Sequence, residues 1–229
     1  MKNKVVVIFS IVVIGIILVS VLLFLRNDKP KINLTEDEIK FKDEYENLNG
    51  HEIVENYVLK TIDINIDNNV KYVSDDEILD LLTNGTNIIY FGWSDCNWCR
   101  SIVPTLVETI KENNIDTLYY YDFKSLRNNY ENNSDEKKVK LYEDILSIID
   151  KDIESLFDEN STRSGEKKIL APTVVFIKNG VFIGLHVKSV DSHLKSTDDL
   201  SETQINELKS IYDSFINELN ANVCLDEGC

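Results

Sequence analysis

The stretch that decides the fold is IIYFGWSDCNWC, residues 88–99. Residues 88–91 form a short, fully apolar run of the kind that becomes a buried strand. Cys96 and Cys99 follow it, and a helical pattern of apolar residues continues to about Asn113. Two thiols on one helical turn can close a small disulfide ring, and the helix N-terminus favours the thiolate of the first. The sequence therefore predicts a buried strand that leads into a redox-capable cysteine pair at a helix start.

A C-x-x-C pair alone does not identify one kind of site. No His follows Cys99, which excludes a c-type haem attachment site. A zinc site remains an alternative, with Cys224 and Cys229 as the two further ligands. So does a structural or relic pair without activity.

The rest of the chain alternates strand and helix. A half-buried strand is predicted at 58–66, and the apolar stripe of the helical stretch 134–158 is expected to form local core or, alternatively, a partner groove. Further elements are a helix at 74–82 opened by a capping box, a strand at 117–121, a hairpin of 174–177 and 181–187 joined by Asn179-Gly180, and a helix at 203–219. This pattern predicts an α/β sandwich.

A second motif, Leu170-Ala171-Pro172-Thr173, leads into the strand at 174–177. At this point the chain resembles the thioredoxin superfamily, in which a strand leads into C-x-x-C and a cis-proline loop faces the cysteines. Phe91 and Pro104 also match thioredoxin positions. The resemblance covers about residues 73–219. The chain is similar to membrane-anchored thioredoxin-like proteins of Gram-positive bacteria, some of which are described as bacteriocin-transport accessory proteins.

The resemblance implies a thioredoxin-like fold, a central mixed sheet flanked by helices, and a thiol–disulfide oxidoreductase. Cys96 would form a mixed disulfide and Cys99 would resolve it. Trp98 and the loop residues Ala171, Pro172 and Thr173 would bind the substrate chain, with Ala171 pairing through its backbone. No metal or organic cofactor is implied; the partners would be protein or peptide thiols and disulfides and an unidentified redox partner. The alternative is a non-catalytic accessory protein that binds an exporter or a secreted peptide.

Several residues depart from the thioredoxin pattern. Asp95 replaces the usual Trp before the first cysteine and opposes thiolate formation, which Arg100 partly offsets. Tyr90 stands where thioredoxins have a buried Asp, so the general base is unassigned. Between Cys99 and Pro172 lie many more residues than in thioredoxin, which predicts a helical insertion at about 125–168.

The N-terminal segment sets the expected compartment. Residues 5–25 are 21 uncharged residues, enough to cross a bilayer as a helix. The exit lacks the small-residue pattern of a cleavage site, so we expect a retained single-pass anchor rather than a cleaved signal peptide. The domain would then lie outside the cell membrane, where disulfides persist.

Charge and the remaining cysteines complete the expectations. Residues 1–31 hold five of the 24 basic and one of the 40 acidic side chains, so the remainder is strongly acidic and unsuited to binding nucleic acid.

Cys224 and Cys229 are predicted to form a structural disulfide; an accessory redox pair or free thiols are the alternatives. The expected domains are an anchor at 1–31, a polar spacer and first strand at 32–72, a thioredoxin-like domain at 73–222 and a cysteine-containing tail at 223–229.

Overall fold

A computed structural model describes residues 34–149, 151, 153 and 165–221. The helices are α1 (Glu36–Glu46), α2 (Ile78–Thr83), α3 (Asn97–Glu112), α4 (Lys124–Asn132), α5 (Glu136–Ile149) and α6 (Glu202–Asn220). The strands are β1 (Glu52–Val54), β2 (Tyr57–Val58), β3 (Val70–Tyr72), β4 (Asn87–Gly92), β5 (Leu118–Asp122), β6 (Thr173–Lys178) and β7 (Val181–Val187).

Five strands form one mixed sheet in the order β3-β5-β4-β6-β7. The β5 strand pairs in parallel with both β3 and β4, whereas β6 is antiparallel to β4 and to β7. Helices cover both faces, and this central mixed sheet flanked by helices fits a thioredoxin-like fold. The predicted central mixed sheet flanked by helices is therefore confirmed for the described part of the chain.

The two faces of the sheet bury separate cores because successive side chains of a strand point to opposite faces. Ile88 and Tyr90 of β4 pack with α1, α3 and α6 in the first core. Ile89 and Phe91 pack with α2, α4 and α5 in the second. The cysteine pair belongs to the first core, since Cys99 is one of its members.

The N-terminal part of the described chain corrects two predictions. Residues 34 onward belong to the same compact unit as the sheet, and α1 is not part of a polar spacer because Phe41 and Tyr45 are fully buried in the first core. The strand predicted at 58–66 is wrong beyond Val58. Leu59, Ile62 and Ile64 are buried there, but they lie in irregular chain, and the first strand of the sheet is β3.

The other predicted elements correspond well to the structure. The hairpin of β6 and β7 turns through Asn179 and Gly180, both with positive φ, as a two-residue primed turn requires. The helix predicted at 74–82 begins only at Ile78, although Ser74 is bonded to the Glu77 carboxylate.

The predicted insertion begins with α4 and α5, whose apolar side chains cover the second core. This supports the local-core interpretation of the stripe. The anchor at 1–31 and the tail at 223–229 lie outside the described residues. Among the residues that are described, no helix is long and apolar enough to cross a membrane.

Candidate active site

Cys96 and Cys99 stand at the start of α3, and three residues separate Cys96 from the end of β4. Cys96 is the N-cap residue, with an extended backbone, and its sulfur accepts the Cys99 backbone N–H at 3.3 Å. Cys96 is partly exposed, whereas Cys99 is fully buried. Both are free thiols. The pair is therefore asymmetric, with one sulfur accessible to another molecule and the other shielded directly behind it.

The pKa values of the two thiols also differ, and the difference follows their exposure. The pKa of the Cys96 thiol is lowered, first by a hydrogen bond from the Cys99 thiol and then by the backbone N–H groups of Cys99 and Trp98; burial and Asp95 act in the opposite direction. Burial raises the pKa of the Cys99 thiol well above its ordinary value, and its coupling to Cys96 raises it further. The Cys96 thiol therefore ionises more readily than the Cys99 thiol.

The proline loop faces the cysteines, as the sequence predicted. The Ala171–Pro172 peptide bond is cis, and the Cys96 thiol lies 3.7 Å from the Ala171 carbonyl oxygen. The Pro172 carbonyl accepts the Lys188 backbone N–H at 2.9 Å. Thr173 is buried and its hydroxyl donates to the Leu170 carbonyl at 2.8 Å. Ala171 is thus the loop residue that contacts the Cys96 sulfur, while the Thr173 hydroxyl bonds within the loop.

Trp98 is half-buried beside the cysteines. Its ring stands edge-on to the His193 imidazole, with centroids 5.1 Å apart, and the Lys188 ammonium lies 6.0 Å from its centroid. His193 is itself buried, with ring nitrogens bonded to the Ser189 hydroxyl and the Asp198 carbonyl. The Trp98 ring therefore packs against an imidazole that is itself fixed by two hydrogen bonds.

The charges next to the pair are arranged differently from the sequence-based expectation. Asp95 is bonded to Lys124 at the start of α4, a partner that nothing in the sequence indicated. Arg100 does not offset Asp95. It is fully buried, and its guanidinium donates to the carbonyls of Lys60, Tyr45 and Ser94 and to the Asn49 side chain. Arg100 therefore fastens the chain N-terminal to the sheet onto the cysteine helix.

Asn97, between the two cysteines, makes a second attachment to that chain. Its fully buried side chain donates to the Val58 carbonyl at 2.9 Å and accepts the Lys60 backbone N–H at 2.8 Å. Its own backbone N–H donates to the Tyr57 hydroxyl at 3.2 Å. We refer to residues 51–60, which include the β1–β2 hairpin, as the arm. The sequence carried no signal for this contact, because the arm lies about forty positions before the cysteines.

Below Cys99 lie two buried tyrosines. The Tyr90 hydroxyl is 2.8 Å from the Tyr45 hydroxyl, and both side chains are fully buried. Tyr90 is one of the groups that lower the pKa of the Cys99 thiol, which burial raises overall. Gly92 makes room for this ring, since a Cβ there would fall 2.3 Å from the Tyr90 hydroxyl oxygen. Sequence reasoning found Tyr90 at this position but not its partner on α1.

The structure leaves part of the predicted site untested. Cys224 and Cys229 lie outside the described residues, so their predicted disulfide and the zinc alternative stay as predictions. Within the described ranges, no group of three or more His, Cys, Asp or Glu side chains is arranged to hold a metal ion.

Comparison with known proteins adds little to this geometry. No family model and no curated protein matches the chain. Among solved structures, the chain is similar to thioredoxin O1 from Arabidopsis thaliana in the oxidised state. The match covers 65% of this chain and 99% of that one, at 20% sequence identity and a TM-score of 0.37. Likeness at this level assigns no residue a role, so the roles considered below rest on the site geometry.

Proposed function

We propose that the protein is a thiol–disulfide oxidoreductase. The Cys96 thiolate attacks one sulfur of a substrate disulfide, forms a mixed disulfide and releases the other substrate sulfur as a thiolate. The Cys99 thiolate then attacks the Cys96 sulfur, which closes the Cys96–Cys99 disulfide and releases the second substrate thiolate. The two protons lost by the cysteines end on the two substrate thiols. Run in reverse, the same steps oxidise a substrate dithiol.

The observation that carries this proposal is the asymmetry of the pair. Cys96 is accessible, capped onto a helix N-terminus and lowered in pKa, while Cys99 is buried behind it and raised in pKa. An inert structural pair needs no such difference. The Ala171 carbonyl beside Cys96 further supports the proposal, because it places backbone hydrogen-bonding groups where an extended substrate chain can align with them.

We also propose that the enzyme works tethered to the cell membrane through residues 5–25, with its domain on the outer side. The uncharged length of that segment and the persistence of disulfides outside the cytosol support this placement. A redox partner at the membrane would then return the pair to its starting state, and the substrates would be proteins or peptides with thiols or disulfides.

The proposal is tested by trapping the intermediate. The purified reduced chain is mixed with a peptide that contains one disulfide, and adducts are identified by mass spectrometry. With Cys224 and Cys229 both replaced by Ser, the Cys99→Ser variant should accumulate a mixed disulfide with the peptide, whereas the matched Cys96→Ser variant should accumulate little. An equal yield of adduct from both variants, or none from either, would contradict the proposal. Full cellular function of the double variant would instead support the accessory-protein alternative.

A further inference from the structure

The arm places exposed apolar side chains beside the cysteine pair. Three of the seven exposed large apolar side chains in the described part of the chain belong to it, namely Ile53, Val54 and Val58. Single exposed apolar side chains are ordinary on a protein surface, whereas a group of them beside a reactive site indicates contact with another molecule. The arm also lies outside residues 73–219, the stretch that resembles thioredoxin, so a substrate contact made by the arm is particular to this chain.

Hydrogen bonds to α3 and to the loop before α6 fix the arm in place. The Arg100 guanidinium donates to the Lys60 carbonyl at 2.7 Å. The Lys60 ammonium donates in turn to the Ser101 hydroxyl at 3.0 Å and to the Asp198 carbonyl. The two bonds of the Asn97 side chain add to these contacts. A surface that is ordered before it binds a ligand loses little conformational entropy on binding.

Tyr57 extends from the arm to the start of the cysteine helix. Its hydroxyl accepts the backbone N–H of Asn97, the residue that follows Cys96, at 3.2 Å. Burial raises the pKa of the Tyr57 phenol, and negative charge on Cys96 raises it further, as expected for a group at this position. Val54 is the cross-strand partner of Tyr57, so the two side chains lie on the same face of the hairpin. We refer to them as the arm face.

The chemistry of the arm face is apolar. Val54 is 63% exposed and has no hydrogen-bonding group in its side chain. The Tyr57 hydroxyl oxygen is already bonded to the Asn97 amide, so the ring is the surface that remains for a ligand. Two elements therefore contribute to the surroundings of Cys96: the proline loop offers the Ala171 carbonyl, and the arm offers apolar surface.

We propose that the arm face binds an apolar side chain next to the substrate cysteine, so that the enzyme prefers proteins and peptides whose reactive cysteine is flanked by apolar residues. This inference rests on the proposed function. When Cys96 is joined to a substrate sulfur, the residues one or two positions away in an extended substrate chain lie about 3–7 Å along it. The Tyr57 side chain, which contacts the residue after Cys96, lies in that range.

The experiment compares two substrates that differ only beside their cysteine. Each is a capped pentapeptide whose cysteine forms a mixed disulfide with thionitrobenzoate, with leucine on both sides in one and serine in the other. The full reduced chain is used in detergent micelles, with Cys224→Ser and Cys229→Ser. The Cys96 thiolate attacks the peptide sulfur, forms the Cys96–peptide disulfide and releases thionitrobenzoate as a coloured thiolate, because the thiol of lower pKa leaves faster.

The measured quantity is the leucine-to-serine ratio of the second-order rates of colour release. It is divided by the same ratio for free dithiothreitol, which removes the intrinsic difference between the peptides. Removing about 40 Å² of apolar surface from water should give the parent protein about a fivefold preference for leucine. Val54→Ser should reduce the preference to about twofold or less, and Val54→Leu should retain it. Since each preference is a ratio within one variant, a change in the reactivity of Cys96 cancels.

Two control variants remove a valine elsewhere. Val181, at the start of β7, is 61% exposed and therefore matches Val54 in residue type and exposure. Val58 belongs to the arm, but it follows Tyr57 in the strand and its side chain lies on the opposite face of the hairpin. Val181→Ser and Val58→Ser should both retain the preference of the parent protein.

A parent protein that reacts with both peptides without a preference, or a preference that persists in Val54→Ser, would overturn the inference and leave the proposed function standing. An equal loss in Val58→Ser would also overturn it, since the cause would be a general displacement of the arm. So would a dimer, detected by light scattering, that Val54→Ser dissociates without a change in preference, because a second copy would then cover the arm face. A parent protein that releases no thionitrobenzoate from either peptide would overturn both proposals.

Discussion

Replacing Asn97 by Ala removes the side chain that joins the cysteine helix to the arm. In the structure this side chain makes two hydrogen bonds to backbone groups of the arm, one to the Val58 carbonyl and one from the Lys60 N–H. It is fully buried, so water does not share these bonds. The substitution leaves both backbone groups without a partner and creates a small cavity between α3 and the arm.

The expected loss in the free energy of unfolding depends on how exposed the Val58 carbonyl and the Lys60 N–H are. A buried group that loses its hydrogen-bond partner costs about 1–3 kcal/mol. The Val58 side chain is 48% exposed, so its carbonyl can turn to water and the cost there is small. Lys60 is less exposed than Val58, so its N–H carries most of the cost. We therefore expect a total loss of about 2 kcal/mol in the free energy of unfolding, and a similar loss in the free energy of opening the arm locally.

Amide hydrogen exchange measures the local effect directly. A loss of about 2 kcal/mol should speed exchange of the Lys60 amide by about thirtyfold, while amides of β4 and β5 should change only as far as global stability changes. Asn128→Ala, an exposed substitution on α4, is the matched control and should stay within about 0.5 kcal/mol of the parent protein. If the Lys60 amide in Asn97→Ala stays as protected as in the parent, then Asn97 does not hold the arm and the reasoning fails.

Three further predictions concern charge, pH and packing. Asp95→Asn should lower the pKa of the Cys96 thiol, because the carboxylate beside it raises that pKa, and should speed its alkylation by iodoacetamide at neutral pH; an unchanged rate would contradict this. Burial lowers the pKa of His186, so the folded state binds its proton less readily than the unfolded chain, and stability should fall as pH drops below about 6.5. Urea unfolding at several pH values should show a weaker fall in His186→Gln but not in the exposed control His51→Gln. Gly92→Ala should lower the free energy of unfolding by about 1–3 kcal/mol, since its methyl group would overlap the Tyr90 hydroxyl, and a thermal midpoint equal to that of the parent protein would refute the packing described here.

The sequence was sufficient for the elements whose signals are local. The apolar run of β4, the cysteines at the start of α3 and the Asn179-Gly180 turn each specify their own geometry within a few residues. The proline loop could be placed opposite the cysteines because its position relative to the hairpin fits a known pattern. These elements make up most of the sheet and the reactive half of the site.

The parts that sequence reasoning missed depend on contacts between distant segments. The alternating apolar residues Ile62, Ile64 and Ile66 imitated a strand, but the chain there is held by side chains rather than by a neighbouring strand. Asn49 bonds both backbone groups of Ile62, and Glu46 accepts the Ile64 N–H. A period of two in the apolar residues therefore does not show what pairs with the backbone, and here it does not predict burial at Val58 and Ile66, which are exposed.

The same limit applies to α1. Its sequence is polar enough to suggest a spacer, and only Glu38, Phe41 and Tyr45 are buried along it. Those few contacts nevertheless include the hydroxyl that reaches Tyr90 and a carbonyl that accepts from Arg100. Neither partner can be identified from a window of sequence, because each lies about fifty positions away.

The close approach of Gly92 to Tyr90 has a consequence for the comparison of related sequences. The two residues lie on the same face of β4, and the ring at position 90 occupies the space that a side chain at position 92 would fill. In a close-packed interior, one of the two positions can be large only if the other is small. Homologues with a short residue at position 90 should therefore accept a bulky one at 92. The two columns of an alignment should vary together, and Tyr at 90 with Gly at 92 should mark the sequences in which position 45 is also Tyr.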